Sequence, residues 1–251
     1  MKRKINLSDK ESIEINYWQR DHPEHPRQFT KENFLNKIQE AKHLNYKLHK
    51  YQQFLKGKSH ILEIGAGQGW ASTFMKRYFL PNAHFTVTDI SPHAIASLTY
   101  WEDLFKVRID KSFASKSYLI NVPDATFDLI FCYSAAHHFV QHQETIAELS
   151  RLLKKNGHII YLYEPTTGRF WYPLYYWYVN KVPHVTPEDV LVPREITRYA
   201  EKAGLEVEVV YDAHQTIQRS VRIALYFRLL KWLPFLQRYL PASSDFIFTK
   251  K

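Results

Sequence analysis

The chain has 251 residues, of which 45% are hydrophobic and 24% charged, a globular composition that excludes collagen-like, coiled-coil and wholly disordered chains. Its 34 Lys and Arg against 25 Asp and Glu give a net charge of +9, but residues 1–58 and 215–251 each carry +6, which leaves −3 between them. The centre is therefore slightly acidic, and only the basic termini have a charge that suits an anionic partner.

The N-terminal part of the chain divides into two segments. Residues up to Arg27 are polar and include Pro23 and Pro26, which indicates an arm. From Thr30 onwards apolar residues recur with helical period, and Gly57 supplies the stop of that helix. We therefore expect an arm and an amphipathic helix over residues 1–58, followed by one larger domain over 59–251.

Short apolar runs alternate with helical patterns beyond residue 59, which is typical of βα units in a mainly parallel sheet. The predicted strands are His60–Ile64, Phe85–Thr88, Phe113–Leu119, Phe127–Cys132, His158–Tyr163, Glu206–Tyr211 and Asp245–Thr249. The predicted helices are Trp70–Phe79, one after Ser91-Pro92, Glu144–Leu153 with a stop at Asn156-Gly157, and Arg194–Ala203.

Two stretches interrupt the alternation and are expected to be insertions near the sheet edge. Residues 165–192 hold seven aromatic side chains between Phe170 and Tyr178. Residues 215–240 add a helical, Arg-containing segment before the last strand.

The most informative run is residues 60–70, which reads His-Ile-Leu-Glu-Ile-Gly-Ala-Gly-Gln-Gly-Trp. Glycines at Gly65, Gly67 and Gly69 let the backbone turn sharply between a strand and a helix, and they let a ligand approach without a Cβ in the way. Asp89 ends the next strand twenty residues later, where a carboxylate can accept hydrogen bonds from ribose hydroxyls. The spacing differs from the dinucleotide motif G-x-G-x-x-G, because Trp70 stands where its third glycine would fall.

This run, together with four segments downstream of it, resembles the class I S-adenosylmethionine-dependent methyltransferases. The downstream segments similar to that family are Pro123–Phe131 before the fourth strand, Ser134–Phe139 after it, Glu148–Gly157 in the next helix, and Tyr163–Pro165 at the end of the fifth strand. The resemblance covers residues 58–165 well and 193–211 loosely. Small-molecule methyltransferases of ubiquinone and menaquinone biosynthesis show the same pattern.

The resemblance implies an α/β fold with a Rossmann-like, mainly parallel sheet of about seven strands, helices on both faces and an antiparallel last strand. The chain's own pattern adds an N-terminal helix and an aromatic lid insertion, neither of which matches a specific part of that family. The implied cofactor is S-adenosylmethionine, held by Glu63, Gly65, Ala66, Gly67, Gly69, Asp89, Ile90, Ser115 and Ser134.

Two acidic residues have distinct expected roles at that site. Glu63 is expected to bond the cofactor amino group through loop amides or water, with a structural contact at the helix terminus as the alternative. Asp89 is expected to bind the ribose, with capping of the next helix as the alternative. Many relatives also carry an Asp that contacts the adenine, but this chain has Ser115-Lys116 at the aligned position. Ser115 and apolar neighbours such as Ile90 are then expected to hold the adenine.

His137 and His138 follow the fourth strand, at the edge of the sheet where α/β folds bind ligands. A neutral imidazole there can accept a proton from a hydroxyl or amine acceptor. His138 is the preferred catalytic candidate, and ordinary packing is the alternative for both. The single cysteine, Cys132, and the scattered histidines show no metal-ligand spacing, so no metal site is expected.

The favoured function is transfer of a methyl group to a small-molecule or lipid-linked acceptor. The alternatives are an inactive scaffold that binds S-adenosylmethionine, an RNA methyltransferase and, least favoured, an NAD-dependent oxidoreductase. Nucleic acid is disfavoured by the acidic centre and by the lack of an Asn/Asp-Pro-Pro-aromatic motif after the fourth strand. The methylated atom, the pathway and the oligomeric state are not encoded in any motif.

The chain has no run of about 18 apolar residues and no apolar stretch of a secretory signal near its start, so a cytoplasmic protein is expected. The aromatic stretch predicts a lid over the acceptor pocket, and peripheral contact with a membrane is the alternative. Against that alternative, Arg219, Arg222, Arg228 and Lys231 do not share one helical face.

Overall fold

The computed structural model describes residues 7–19, 30–181, 188–214 and 221–251. The strands are β1 (His60–Ile64), β2 (His84–Asp89), β3 (Lys111–Ala114), β4 (Phe127–Tyr133), β5 (Leu153–Thr166), β6 (Leu205–Tyr211) and β7 (Ala242–Lys250). The helices are α1 (Leu7–Gln19), α2 (Lys31–Lys50), α3 (Gln52–Leu55), α4 (Trp70–Tyr78), α5 (Pro92–Ala96), α6 (Leu98–Phe105), α7 (His142–Leu152), α8 (Tyr172–Val179), α9 (Pro193–Lys202) and α10 (Val221–Trp232). Two 3₁₀ turns add Ala136–His138 and Pro234–Arg238.

The seven strands form one sheet in the order β3-β2-β1-β4-β5-β7-β6. Strands β1 to β5 pair in parallel, whereas β7 lies antiparallel to both β5 and β6. The predicted mainly parallel sheet of seven strands with an antiparallel last strand is therefore confirmed. The strand order reverses between β1 and β4, and in open α/β sheets ligands bind outside the carboxyl ends of the strands at such a point.

Helices cover both faces of the sheet. On one face α7 and α9 bury Ile146, Leu149 and Ile196 against apolar side chains of β1, β4, β5 and β7. On the other face α2 and α4 bury Leu44, Met75 and their neighbours against the same strands. Because both faces are covered, the central strands are nearly continuous apolar runs, as the sequence pattern indicated.

A buried charge network joins α2 to the end of the sheet. The ammonium of Lys47, which is 0% exposed, lies 2.6 Å from Asp245 Oδ2 and 2.9 Å from Asp212 Oδ2. Tyr51 donates a hydrogen bond to the same Asp245 oxygen at 2.6 Å, and the Tyr163 amide donates to the other at 2.9 Å. These contacts satisfy the buried charges, whose isolation would be costly.

Several predicted element ends shift by one to three residues, and two regions differ more for a clear physical reason. The strand expected at Phe113–Leu119 is β3 at Lys111–Ala114, and the residues after it form a turn closed by the hydrogen bond from Leu119 N to Lys116 O. The helix expected to end at Leu153 ends one residue earlier, because Leu153 pairs with Phe127 of β4 and starts β5. The Asn156-Gly157 stop therefore lies within β5.

The predicted amphipathic helix is α2, whose N-cap residue Thr30 accepts a hydrogen bond from Asn33 N at 3.2 Å. The helix expected to run on to Gly57 ends at Lys50, and α3 follows it as a separate short helix. The predicted arm contains a helix, α1, which packs on the larger domain. Pro23 and Pro26 of the arm lie outside the described residues. The division at residue 58 stays a prediction.

Each predicted insertion contributes a helix. α8 lies in the aromatic insertion, and α10 lies in the segment before β7. Residues 182–187 and 215–220, which include Arg219, lie outside the described residues. Across the described parts of the chain, no helix has the length and apolar character needed to cross a membrane.

Candidate functional site

A cavity of about 320 Å³ lies at the carboxyl ends of β1, β2 and β4. Its volume falls within the range of roughly 300–1,000 Å³ typical of ligand pockets. The glycine turn after β1, the residues after β2 and β3, and the turn after β4 form its walls, and α1 forms its roof. Of the eleven predicted site residues, the cavity is lined by Gly65, Ala66, Gly67, Asp89, Ile90, Ser115, Ser134, His137 and His138.

The turn after β1 has a backbone that requires glycine. Gly65, Gly67 and Gly69 have φ angles of +59°, +53° and +74°, in the left-handed region that residues with a Cβ rarely adopt. A Cβ on Gly65 would stand 2.9 Å from the Phe139 ring, and one on Gly69 would stand 2.5 Å from Leu98. Gly69 caps α4 and does not line the cavity, so its role is to shape the turn.

Asp89 lies at the carboxyl end of β2 with its carboxylate beside this turn. It accepts hydrogen bonds from Gly67 N at 2.7 Å and from Ser91 N at 2.8 Å. Burial raises the pKa of Asp89 to about 6, although hydrogen bonds from backbone amides favour the charged form. The carboxylate is thus mainly ionised at neutral pH, and it keeps lone pairs for donors inside the cavity.

Glu63 lies beneath the turn and not among the cavity-lining residues. Its carboxylate is buried and accepts a hydrogen bond from Ser72 N in α4 at 3.1 Å. Burial raises the pKa of Glu63 to about 8. This geometry matches the alternative of a contact near the helix terminus, and a bond from Glu63 to a cofactor stays a prediction.

The residues after β2 and β3 form the wall where the sequence lacks the family's adenine-binding acid. Ser115 N donates to Asp89 O at 2.8 Å, and Ser115 Oγ donates to Leu119 O at 2.7 Å. The hydroxyl oxygen still has a lone pair that can accept from an amino group. An acid reaches this wall from α1, because Glu11 lies 2.7 Å from Lys116 Nζ and accepts a hydrogen bond from Tyr118.

Helix α1 contributes residues that sequence reasoning missed. Trp18 packs over Gly67, since a Cβ there would stand 3.3 Å from its ring. A carboxylate oxygen of Glu14 lies 3.6 Å from Nδ1 of His138, which follows β4. The sequence gives little indication that α1 belongs to the site, because its charged and aromatic side chains contact residues that are distant along the chain.

His137 is held by a buried acid that the sequence did not single out. Glu164, at the end of β5 and 0% exposed, lies 2.8 Å from His137 Nδ1. Burial alone lowers the pKa of His137, but the hydrogen bond and charge of Glu164 outweigh it and leave the pKa raised. For Glu164 the same pairing outweighs burial and lowers the pKa. Glu164 therefore holds the His137 ring in place and favours its protonated form.

His138 has the opposite electrostatics. Burial and the charge of His137 hold its pKa well below the usual value, so the ring is neutral at neutral pH. It lines the cavity, as does Ser134, whose amide donates to Leu162 O at 2.8 Å and whose φ is +49°. A neutral imidazole facing a cavity is able to accept a proton.

His137, His138 and Glu188 each offer a metal-ligand atom, and within the described parts of the chain they form the single such group, with the atoms within 4.8 Å of one another. All three line the cavity. The sequence spacing predicted no metal site because Glu188 lies fifty residues after the histidine pair. The three ligand atoms lie close together without an ion, so the absence of a metal site stays a prediction.

The residues of the cavity fit the predicted cofactor. Its lining includes five carboxylates and three lysines, so its charge suits a ligand with a sulfonium and an ammonium: Glu11, Glu14, Glu40, Asp89 and Glu188 against Lys10, Lys37 and Lys116. The glycine turn lies beside Asp89, as a nucleoside-binding site requires. Aromatic rings of α1 cover this end of the cavity.

Residues 62–161 match the family described as "Methyltransferase domain". Over 100 residues the chain is 28% identical to the uncharacterized methyltransferase YcgJ of Bacillus subtilis, a match that covers 40% of this chain and 38% of that protein. The matched part thus spans well under half the length of this curated relative.

Solved structures resemble nearly the whole chain. YcgJ superposes with a TM-score of 0.57 at 16% identity, covering 83% of this chain and 98% of that one. Geranyl diphosphate C-methyltransferase from Streptomyces coelicolor, solved with Mg²⁺, geranyl diphosphate and S-adenosyl-L-homocysteine, has a TM-score of 0.66 at 12% identity and covers 98% of this chain and 99% of that one. Phosphoethanolamine N-methyltransferase 2 from Haemonchus contortus has a TM-score of 0.60 at 16% identity, covering 82% and 52%.

At these identities the solved structures establish a shared fold, while the family match concerns the central domain. S-adenosylmethionine, the predicted cofactor, is the one that this domain and fold support. The narrower ubiquinone and menaquinone branch stays a prediction. Residues 62–161 thus match a methyltransferase domain, and the described chain shares the fold of the solved methyltransferases.

Proposed function

We propose that the chain binds S-adenosylmethionine and transfers its methyl group to a small-molecule acceptor. The observation that carries the proposal is the juxtaposition of the glycine turn with the Asp89 carboxylate in one cavity, with Gly67 N 2.7 Å from Asp89 Oδ2. This is the geometry that a ribose with two hydroxyl donors needs next to a closely approached backbone.

The residues of the chain act by binding, orienting and excluding water. Asp89 accepts from the ribose hydroxyls, and the acid-rich lining favours the positive sulfonium end. When bound, the cofactor would supply an electrophilic methyl group, and the electron pair of its broken carbon–sulfur bond would stay on sulfur as the acceptor–methyl bond forms. Because the methyl group is already electrophilic, the chain mainly needs to orient the reactants. Orientation and proximity can contribute about 7–11 kcal/mol to lowering the barrier.

His138 is the proposed proton acceptor on the acceptor side. Its neutral ring can take the proton that a hydroxyl or amine acceptor loses when the new bond forms. His137 has a positioning role, because Glu164 engages its Nδ1 and favours its protonated form.

The acceptor that fits best is a small molecule with an apolar portion, in line with the quinone-type branch predicted from the sequence. Aromatic and aliphatic side chains line the cavity beside His138, among them Tyr133, Phe139 and Val140. Neighbours with this fold act on acceptors as different as geranyl diphosphate and phosphomonomethylethanolamine, so the fold itself does not select one.

Calorimetry with S-adenosylmethionine, S-adenosylhomocysteine and NAD tests the proposal. We expect both adenosyl ligands to bind, NAD not to bind, and Asp89→Asn to weaken the binding of both adenosyl ligands about tenfold or more, since it removes a charged acceptor. Asp103→Asn is the matched control, because Asp103 lies outside the cavity and is exposed.

Two results would overturn the proposal: binding of NAD alone, or equal affinities in the wild type and Asp89→Asn. Binding without methyl transfer to any member of a panel of apolar hydroxyl and amine acceptors would instead favour the inactive scaffold.

A further inference from the structure

Two helices expose apolar side chains that a soluble domain normally buries. α8 has no buried residue. Its exposed Leu174, Trp177 and Tyr178 lie on one side of the helix together with the exposed N-cap residue Trp171. On α10 the exposed Val221, Leu225, Leu229 and Trp232 recur three or four positions apart, and the Val221 and Trp232 side chains are 77% exposed. Leu230, half a turn away from that stripe, is the buried residue of α10.

Within the two segments that carry these apolar side chains, every charged side chain is a cation. Residues 165–181 and 221–244 contain six Lys and Arg and no Asp or Glu, and all six are exposed: Arg169, Lys181, Arg222, Arg228, Lys231 and Arg238. At about 100° per residue, Arg228 and Lys231 border one side of the α10 stripe and Arg222 the other. The cations do not share one face, as the sequence showed, but they border the exposed stripe instead of opposing it.

Hydrogen bonds connect both the residue before α8 and α10 itself to the segment that follows α10. Gly168, just before α8, donates a hydrogen bond to Tyr239 O at 3.2 Å, and a Cβ on Gly168 would stand 2.6 Å from that oxygen. Tyr226 of α10 donates to Pro241 O at 2.6 Å. We call the exposed apolar and basic side chains of α8 and α10 the α8–α10 surface.

A lipid surface suits this combination better than a protein partner does. Apolar patches of this kind mark interaction sites. Trp and Tyr side chains prefer the boundary between lipid and water, and Lys and Arg are attracted to anionic headgroups. A helix that lies on a membrane combines an apolar stripe with flanking cations.

The α8–α10 surface is also linked to the candidate active site. At the end of α8, Asn180 donates from Nδ2 to Glu188 O at 2.8 Å and accepts from Glu188 N at 3.0 Å. Tyr172 donates to Asp189 Oδ1 at 2.7 Å, and Asp189 N donates to His137 O at 2.7 Å. Glu188 and His137 line the cavity, so α8 connects the exposed surface to the acceptor side of the cavity.

We propose that the α8–α10 surface binds the surface of an anionic lipid bilayer, from which the cavity takes an acceptor with an apolar portion. The second half of this inference rests on the proposed function, whereas lipid binding does not.

The test is cosedimentation of the full chain with vesicles of phosphatidylcholine, with and without phosphatidylglycerol. We expect binding only to the anionic vesicles, and a loss of about tenfold in affinity in Trp177→Ser/Trp232→Ser, whose side chains would no longer enter the interface. The vesicle affinity of Arg228→Glu/Lys231→Glu should fall about fivefold for each cation replaced, and this loss of affinity should be smaller at high salt. Tyr78→Ser/Leu104→Ser is the matched control, because both residues are similarly exposed on α4 and α6.

Failure of the wild type to bind anionic vesicles would overturn the proposal, as would an equal loss in the control variant. A wild-type dimer that Trp177→Ser/Trp232→Ser converts to a monomer, without vesicle binding, would assign the surface to a second copy of the chain. Calorimetry with S-adenosylmethionine on the same samples separates the two proposals. Cofactor binding without vesicle binding overturns the membrane inference alone. Vesicle binding without cofactor binding overturns the proposed function and the acceptor half of the inference, and leaves lipid binding standing.

Discussion

Glu164 and His137 form a buried pair where β4 and β5 end side by side, with 2.8 Å between Glu164 Oε2 and His137 Nδ1. The same carboxylate accepts hydrogen bonds from the amides of Ala135, Ala136 and His137 at 2.9–3.2 Å. One side chain of β5 therefore holds the whole turn that carries the two histidines. Its partners lie 27 to 29 residues earlier in the chain.

Replacing Glu164 by Gln should destabilise the fold by about 2–4 kcal/mol, because the amide group presents a donor towards backbone donors and leaves the His137 cation unpaired. The pH dependence has two limits. The raised pKa of His137 contributes stability below its ordinary value of 6.5, and this is lost as pH rises through the folded-state pKa. The lowered pKa of Glu164 contributes above its ordinary value of 4.5, and this is lost as pH falls through the folded-state pKa.

Urea unfolding of the wild type and Glu164→Gln over a pH series therefore should give a difference in unfolding free energy that is largest between about pH 4.5 and 6.5. Glu208→Gln, an exposed acid of β6, is the control and should stay within about 0.5 kcal/mol of the wild type. A pH-independent difference would mean that the pair is not ionised.

A second prediction concerns the Lys47 network. Lys47→Met removes the closest cation of the buried Asp245, which keeps Lys50 Nζ only at 4.0 Å, while Asp212 keeps Lys50 Nζ at 2.8 Å. A loss of about 3–5 kcal/mol in unfolding free energy is expected in urea at neutral pH, mainly from Asp245. The pKa of Asp212 is held well below its ordinary 3.8 against the effect of burial, mainly by the charge of Lys47. Its contribution is present above 3.8 and is lost as pH falls through the lowered value, so the variant and wild type should converge in acid.

Lys42→Met is the matched control, since Lys42 is exposed on the same helix. If Lys47→Met lowers the unfolding free energy no more than Lys42→Met does, the network makes no net contribution to stability.

Helix α1 should contribute to cofactor affinity through Glu11. Glu11→Ala removes the ion pair with Lys116 and the hydrogen bond from Tyr118, which hold α1 on the wall formed after β3. We expect S-adenosylmethionine to bind about tenfold more weakly in calorimetry, a loss typical of one charged hydrogen bond. Asn16→Ala, on the exposed side of α1, should bind like the wild type. Unchanged affinity in Glu11→Ala would mean that α1 plays no part in holding the ligand.

The glycine turn could be predicted from the sequence because its residues lie close together in the chain. Gly65, Gly67 and Gly69 lie within five residues, and each has the positive φ that makes glycine necessary. Asp89 could be found as well, since it ends the neighbouring strand β2, and parallel strands bring their carboxyl ends to one edge.

The features that the sequence did not reveal depend on contacts between residues that are distant along the chain. Glu11 contacts Tyr118, 107 residues away, and within its own polar segment nothing distinguishes it from a solvated acid. Glu164 stands in a strand whose apolar neighbours give no sign of the turn that it holds. The start of β5 was misplaced because pairing of Leu153 with Phe127 overrides the local stop signal at Asn156-Gly157.

His138 should be needed for turnover and not for cofactor binding, if it is the proton acceptor. Once an acceptor is identified, His138→Ala should lower kcat by about 10²–10⁴ while the affinity for S-adenosylhomocysteine is unchanged. The lowered pKa keeps the ring in its neutral, active form above that pKa, so the wild-type rate should fall only in acid, well below pH 6.5. His93→Ala, an exposed histidine of α5, is the control. Full turnover in His138→Ala would remove this role.

The group of His137, His138 and Glu188 leads to the last prediction. If His138 acts as a free base, no metal ion takes part, so treatment with EDTA should leave turnover unchanged. Added Zn²⁺ should inhibit, because two imidazole nitrogens and a carboxylate within 4.8 Å suit that ion and coordination would occupy the His138 lone pair. Glu188→Gln should relieve the inhibition by about tenfold, since an amide is a poorer ligand than a carboxylate. A loss of turnover on EDTA treatment that Zn²⁺ or Mg²⁺ restores would instead identify the three residues as a metal site and exclude His138 as a free base.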